Sequence, residues 1–181
     1  MIEHPLKFVI VGAGGIAQTH LQAFAKTHKA DLIGVVDVRS DAAAAMAAAA
    51  HCQPFTSVEE LLATTQCDAA IVCTPPATHP EICRQFADSG VHVLCEKPIS
   101  ISRSAAVDMI EHANDRGTIF TMASKFRYVS DMIYAKQLIT SGVLGEVLLF
   151  ENTFAGHVDM SRRWNSKPDI SGGGVVIDNG T

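Results

Sequence analysis

An apolar run, Phe8-Val9-Ile10-Val11, passes directly into Gly12-Ala13-Gly14-Gly15-Ile16-Ala17, and this junction limits the possible folds more than any other part of the chain. A buried strand that feeds a G-x-G-x-x-A turn and then a helix is how a dinucleotide-binding βαβ unit opens. Gly12 permits the tight turn, Gly14 lets backbone approach a pyrophosphate, and the small Ala17 lets helix pack on strand. Ala13, Gly15 and Ile16 complete the loop. Free N–H groups and the helix dipole at that point favour phosphate. About twenty residues beyond the turn, Leu32-Ile33-Gly34-Val35-Val36 ends at Asp37, where a carboxylate accepts hydrogen bonds from the adenosine ribose hydroxyls. Asp37 would repel a 2′-phosphate, which favours NAD. Arg39, two residues on, could accept that phosphate, so NADP is the alternative.

Hydrophobic residues make up 48% of the 181 positions and charged residues 18%, enough for a sizeable core and against disorder. The net charge of −5 argues against a nucleic-acid partner, which needs a basic face. No apolar run approaches the ~20 residues of a membrane helix. Met1 leads into the first strand with no room for a signal peptide. Cys52, Cys67, Cys73, Cys83 and Cys95 form no C-x-x-C pair. They read as small hydrophobes in a reducing cytoplasm, with no metal site.

Strand and helix patterns alternate through residue 124, which predicts an α/β fold with a doubly wound parallel sheet (Rossmann) in a domain over 1–124. Helices are expected from Ile16 to about Lys29, from a Ser40 cap through the alanine run to Ala50, and after Ser57-Val58-Glu59-Glu60, a capping-box spacing. Further helices are expected over His79–Ser89 and Arg103–Arg116, with buried strands at 68–73, 91–95 and 119–123. Residues 125–181 read as the incomplete opening of a second, α+β domain. It begins with an amphipathic helix from Tyr128 to Ser141, followed by a long apolar strand at 146–154. That strand exposes two ladder edges and would pair with another copy or with further chain, so a homo-oligomer is expected.

Crossovers in such sheets are right-handed, so three strand-end loops should converge: 12–16, 74–79 and 96–98. Lys97, between Glu96 and Pro98, follows a buried strand and is placed to take the proton of a substrate hydroxyl. A lysine serves when its pKa is drawn toward working pH; burial lowers it and a neighbouring carboxylate raises it.

Five motifs along the whole chain resemble the glucose–fructose oxidoreductase, inositol dehydrogenase and MocA (Gfo/Idh/MocA) family of NAD(P)-dependent oxidoreductases, in its N-terminal part. They are the glycine loop, Cys73-Thr74-Pro75-Pro76-Ala77-Thr78-His79, Cys95-Glu96-Lys97-Pro98-Ile99-Ser100, Ser141-Gly142-Val143-Leu144-Gly145-Glu146-Val147, and the segment from Ser171 to Thr181. The resemblance implies that the glycine loop, Asp37 and Arg39 hold the adenosine half of the cofactor. It implies too that Thr74, Pro75 and His79 line its groove, and that Glu96 meets the nicotinamide ribose. Lys97 would contact nicotinamide and substrate, Arg127 would lie near the nicotinamide, and Asp178 would orient substrate or a catalytic histidine. Trp164 would wall the substrate pocket or pack in a core or interface.

The family histidine, four residues after Asp178, would fall beyond Thr181. His92 alternates within a strand, His20 and His112 lie on helices and His157 follows a strand; each reads as structural. The expected activity is hydride transfer between nicotinamide and a carbinol carbon of a sugar or polyol. The alternatives are a non-catalytic dinucleotide-binding module and an NAD-dependent glycosidase that oxidises its sugar transiently.

Overall fold

The computed structural model describes residues 4–151, 153, 156, 159, 164–173 and 177. Six strands form one parallel sheet: β1 (Leu6–Val11), β2 (Ala30–Val36), β3 (Gln53–Phe55), β4 (Ala69–Val72), β5 (His92–Cys95) and β6 (Phe120–Met122). Their order is β3-β2-β1-β4-β5-β6, and every neighbouring pair is parallel. The order reverses between β1 and β4. In open α/β sheets the crevice outside the carboxyl ends at that reversal is where ligands bind.

Alternation along the strands divides the core. Ile10, Val35 and Ile71 face one way and pack with Ala17 of α1 (Gly15–Phe24) and Met46 and Ala47 of α2 (Ser40–Ala50). Val9, Val11, Ala70 and Val72 face the other way. They meet Val58 and Leu61 of α3 (Val58–Thr64), Cys83 and Phe86 of α4 (His79–Asp88), and Met109 of α5 (Arg103–Asp115). Phe86 is fully buried; losing a side chain of that size from a core costs about 3–5 kcal/mol. Both faces are covered, which explains the near-continuous apolar runs of the central strands.

Several element ends differ from expectation for local reasons. α1 stops at Phe24, not near Lys29, because Ala30 already pairs with Leu6 and the chain must be extended by then. Tight bonds from Lys26 N–H to Ala23 O (3.0 Å) and Thr27 N–H to Phe24 O (3.2 Å) make the exit. Ser40 is the first residue of α2, not its cap, and no side chain caps that helix. Ser57 does cap α3, accepting Glu60 N–H at 3.1 Å, but Glu60 reaches back to Thr56 N–H (2.8 Å), one residue beyond the reciprocal partner of a capping box.

Beyond β6, a 3-10 turn (Lys125–Tyr128) leads into α6 (Ser130–Thr140), on which no residue is buried. The strand expected at 146–154 is not found among the described residues: 147–151 carry no strand pairing, and positions 152 and 154 lie outside them. Pairing is what makes an extended run a strand. Leu148 (86% exposed), Leu149 (74%) and Phe150 (71%) meet no ladder. A short helical turn, α7 (Pro168–Ser171), returns to the Pro76–Thr78 turn.

Candidate functional site

The strand ends are tied in a row by backbone hydrogen bonds. Asp37 N–H donates to Phe55 O (3.1 Å), Gly12 N–H to Val36 O (2.7 Å), Cys73 N–H to Val11 O (2.7 Å), Glu96 N–H to Val72 O (2.9 Å) and Ala123 N–H to Cys95 O (2.8 Å). The first residue beyond each strand therefore stands beside the next, and the loops open together at one edge. Two clefts lie there.

The first cleft, of about 510 Å³, is lined by Gly12, Gly14, Asp37, Arg39, Thr74 and Pro75, among others. Gly12 has φ +94°, and a Cβ there would stand 3.0 Å from the Cys73 carbonyl carbon and from Thr74 N. Only glycine fits both the dihedral and the approach of β4. A Cβ on Gly14 or Gly15 would meet nothing within 4 Å, so the loop faces open space. No side chain caps α1, whereas Ser57 and Ser102 cap α3 and α5. The first-turn N–H groups of α1, like those of α2, α4 and α6, have no side-chain cap, and those of α1 follow the open glycine loop.

Asp37 ties the cleft together. Oδ2 accepts Ala13 N–H at 2.8 Å, and Oδ1 accepts Arg39 N–H at 2.9 Å. Arg39 Nε lies 3.6 Å from Oδ1 on an exposed side chain, a pairing of small energetic weight. Each carboxylate oxygen has a second lone pair, so acceptor capacity toward the cleft remains.

Thr74 is held from beneath. His79, expected in the groove wall, is fully buried instead; its Nε2 meets Thr74 O at 2.7 Å and its Nδ1 lies 3.0 Å from Ile99 O. Burial pulls its pKa down, against the carbonyls of Thr74 and Ile99. A neutral ring donates from one nitrogen, and the shorter contact is to Thr74. Nδ1 then faces Cys95 Sγ at 3.2 Å. His79 thus joins the loop after β4 to the end of β5.

The second cleft, of about 330 Å³, lies beside Ile16, Thr19, His20, Glu96, Lys97 and the 121–128 segment. Glu96, only 8% exposed, places Oε1 2.8 Å from His20 Nε2 and accepts Lys97 N–H on Oε2 at 3.1 Å. Beneath it, burial raises the Cys73 thiol pKa, with the Glu96 charge adding to the effect. The Cys95 thiol is raised by its hydrogen bond with Cys83 and by burial. All five cysteines are free, and protonated buried thiols of this kind are unreactive. Among the described residues no group of His, Cys, Asp or Glu could hold a metal ion, and no helix is long and apolar enough to cross a membrane.

Two expected positions fall elsewhere, and a third lies outside the described residues. Arg127 is exposed and lines neither cleft. A 3-10 turn has three residues per turn, so Lys125, Phe126 and Tyr128 can face the second cleft while Arg127 faces away. Trp164 lines the first cleft, with Thr74 and Pro75, and not the one that holds Lys97. Asp178 lies outside the described residues. One residue was missed: His20 belongs to the second cleft. Its spacing of one helical turn from Ile16 was the available signal.

The sheet order and the paired clefts define a doubly wound nucleotide-binding domain at the head of this chain. The chain belongs to the Gfo/Idh/MocA family, whose model, described as an oxidoreductase family with an NAD-binding Rossmann fold, matches residues 6–124. Glucose-6-phosphate 3-dehydrogenase of Bacillus subtilis is 32% identical over 157 residues, which is 87% of this chain and 44% of that protein. Inositol 2-dehydrogenase of Rhizobium meliloti is 29% identical over 142 residues, 78% of this chain and 43% of that protein. The WlbA dehydrogenase of Bordetella pertussis, solved in complex with NADH and UDP-GlcNAcA, superposes with a TM-score of 0.75 at 27% identity. That match covers 78% of this chain and 44% of that one. The chain spans about half the length of the curated relatives it matches.

Proposed function

We propose that this chain is the nucleotide-binding part of a dehydrogenase that uses NAD to move hydride between nicotinamide and a carbinol carbon of a sugar, polyol or related small molecule. The observation that carries the reading is the opening of the Gly12–Ile16 loop and the Glu96–Lys97 loop at one edge, with a cleft beside each. The residues present fit a dinucleotide: an uncapped helix end for phosphates, the open face of Gly14 and Gly15, and Asp37 for ribose hydroxyls. Asp37 favours NAD over NADP.

When bound, the nicotinamide supplies the hydride acceptor. The protein's own tasks are the remaining ones. Glu96 orients the loop and would meet the nicotinamide ribose, Lys97 would take the proton of the substrate hydroxyl, and Asp178 would orient the substrate. A domain boundary near residue 124 separates the tasks of Glu96 and Lys97 from that of Asp178 in the following segment, which also contributes Trp164 to the first cleft. The relatives named for sugars and inositol support the substrate class. The test is titration of the chain with NAD, then an absorbance scan at the NADH band over a panel of polyols and aryl glycosides. Binding of NAD by the chain, with NADH formation by the full-length protein that contains it, is the expected result. Binding without turnover on any substrate favours a non-catalytic module, release of the aryl group without net NADH favours a glycosidase, and no binding removes the reading.

A further inference from the structure

His20 stands one turn beyond Ile16 on α1, and both line the cleft that holds Glu96 and Lys97. Its Nε2 lies 2.8 Å from Glu96 Oε1, with the two side chains 19% and 11% exposed. An ionised carboxylate only accepts, so His20 presents Nε2–H to it. The other oxygen of Glu96 accepts Lys97 N–H at 3.1 Å, and Glu96 N–H is fixed to Val72 O at 2.9 Å. One largely buried carboxylate therefore joins α1, which begins at the glycine loop, to the backbone of Lys97.

We propose that His20 is a positioning residue for the loop that carries Lys97. By holding Glu96 Oε1 it leaves Oε2 to fix the Lys97 amide, and so shapes the nicotinamide end of the site. This rests on the nucleotide reading above. A buried carboxylate that loses a charge-assisted partner turns to find another, and here that turn would release the Lys97 amide. The cleft lined by Gly12, Asp37 and Thr74 does not include His20, so the adenosine end should be spared.

The two ends are separated by titrating the 181-residue chain with NADH and, in parallel, with ADP-ribose. His20→Leu is expected to weaken NADH about tenfold, the scale of one hydrogen bond to a charged group, while ADP-ribose stays within about twofold of wild type. His20→Gln, whose amide nitrogen can stand where Nε2 stands, is expected to recover NADH affinity. Should His20→Leu not fold, His20→Asn, polar but too short to reach Glu96, takes its place in the comparison. Wild-type NADH affinity in His20→Leu or His20→Asn, or equal loss of both ligands, overturns the proposal. A wild-type chain that does not bind ADP-ribose overturns the nucleotide reading, and the positioning role with it.

Discussion

Asp37 Oδ2 accepts the amide N–H of Ala13 at 2.8 Å, across 24 positions of sequence. The acid that follows β2 therefore braces the glycine loop as well as lining the first cleft. A second bond, from Arg39 N–H to Oδ1 at 2.9 Å, braces the segment that would meet a 2′-phosphate.

Asp37→Ala is accordingly expected to weaken NAD by about 10- to 100-fold, the scale of losing bonds to a charged acceptor. It should also narrow the preference over NADP, because the repelling charge is gone. Calorimetric titration with both nucleotides checks this; unchanged affinity for both would remove the ribose assignment.

Gly12→Ala meets two obstacles at once: a positive φ and backbone of Cys73 and Thr74 at 3.0 Å. The dihedral costs about 1–2 kcal/mol and the overpacking about 1–3 kcal/mol. Urea unfolding should show a loss of about 2–5 kcal/mol. A loss below about 0.5 kcal/mol, typical of a neutral surface change, would mean that β1 and β4 do not approach as described.

Lys97→Ala is expected to leave cofactor affinity nearly intact and to lower turnover by about 100-fold or more, the scale of losing a general base. Steady-state rates beside NAD titrations distinguish the roles. A variant that lost NAD binding and kept its rate would show that Lys97 serves the cofactor and not the proton.

Acid should destabilise the fold in part through His79. Its folded pKa lies below the ordinary 6.5 because of burial, while the unfolded ring titrates near that value. The unfolded chain therefore binds more protons, and stability falls as pH drops through 6.5 toward the folded pKa. Urea unfolding at pH 7.5 and 5.5, conditions about one unit either side of that ordinary value, should show a smaller pH dependence in His79→Gln than in wild type. An identical dependence would show that His79 protonates freely in the folded protein.

The parallel sheet was legible in sequence because each buried strand is a near-continuous apolar run stopped by a turn residue, as at Val11-Gly12, Val36-Asp37 and Cys95-Glu96. The loops that open at one edge followed from the handedness of the crossovers. The role of His79 was not legible, since a histidine after a T-P-P turn looks the same whether it lines a groove or lies beneath one. Trp164 could not be assigned to a cleft by local pattern, because it enters from a segment about ninety residues after the Thr74 loop it meets, and such long-range closure leaves no periodic trace. The apolar run from Val147 to Phe150 has strand composition but no partner among the described residues.

Local rules of this chain, its turn chemistry and apolar periods, were enough for element type, the parallel sheet and the glycine loop, because those depend on neighbours in sequence. Folding in space assigned the partners: His20 to Glu96, Asp37 to Ala13, His79 to the Thr74 carbonyl. Hydrogen bonds are directional and short, so a pairing between distant residues exists only once the sheet has set their strand ends side by side.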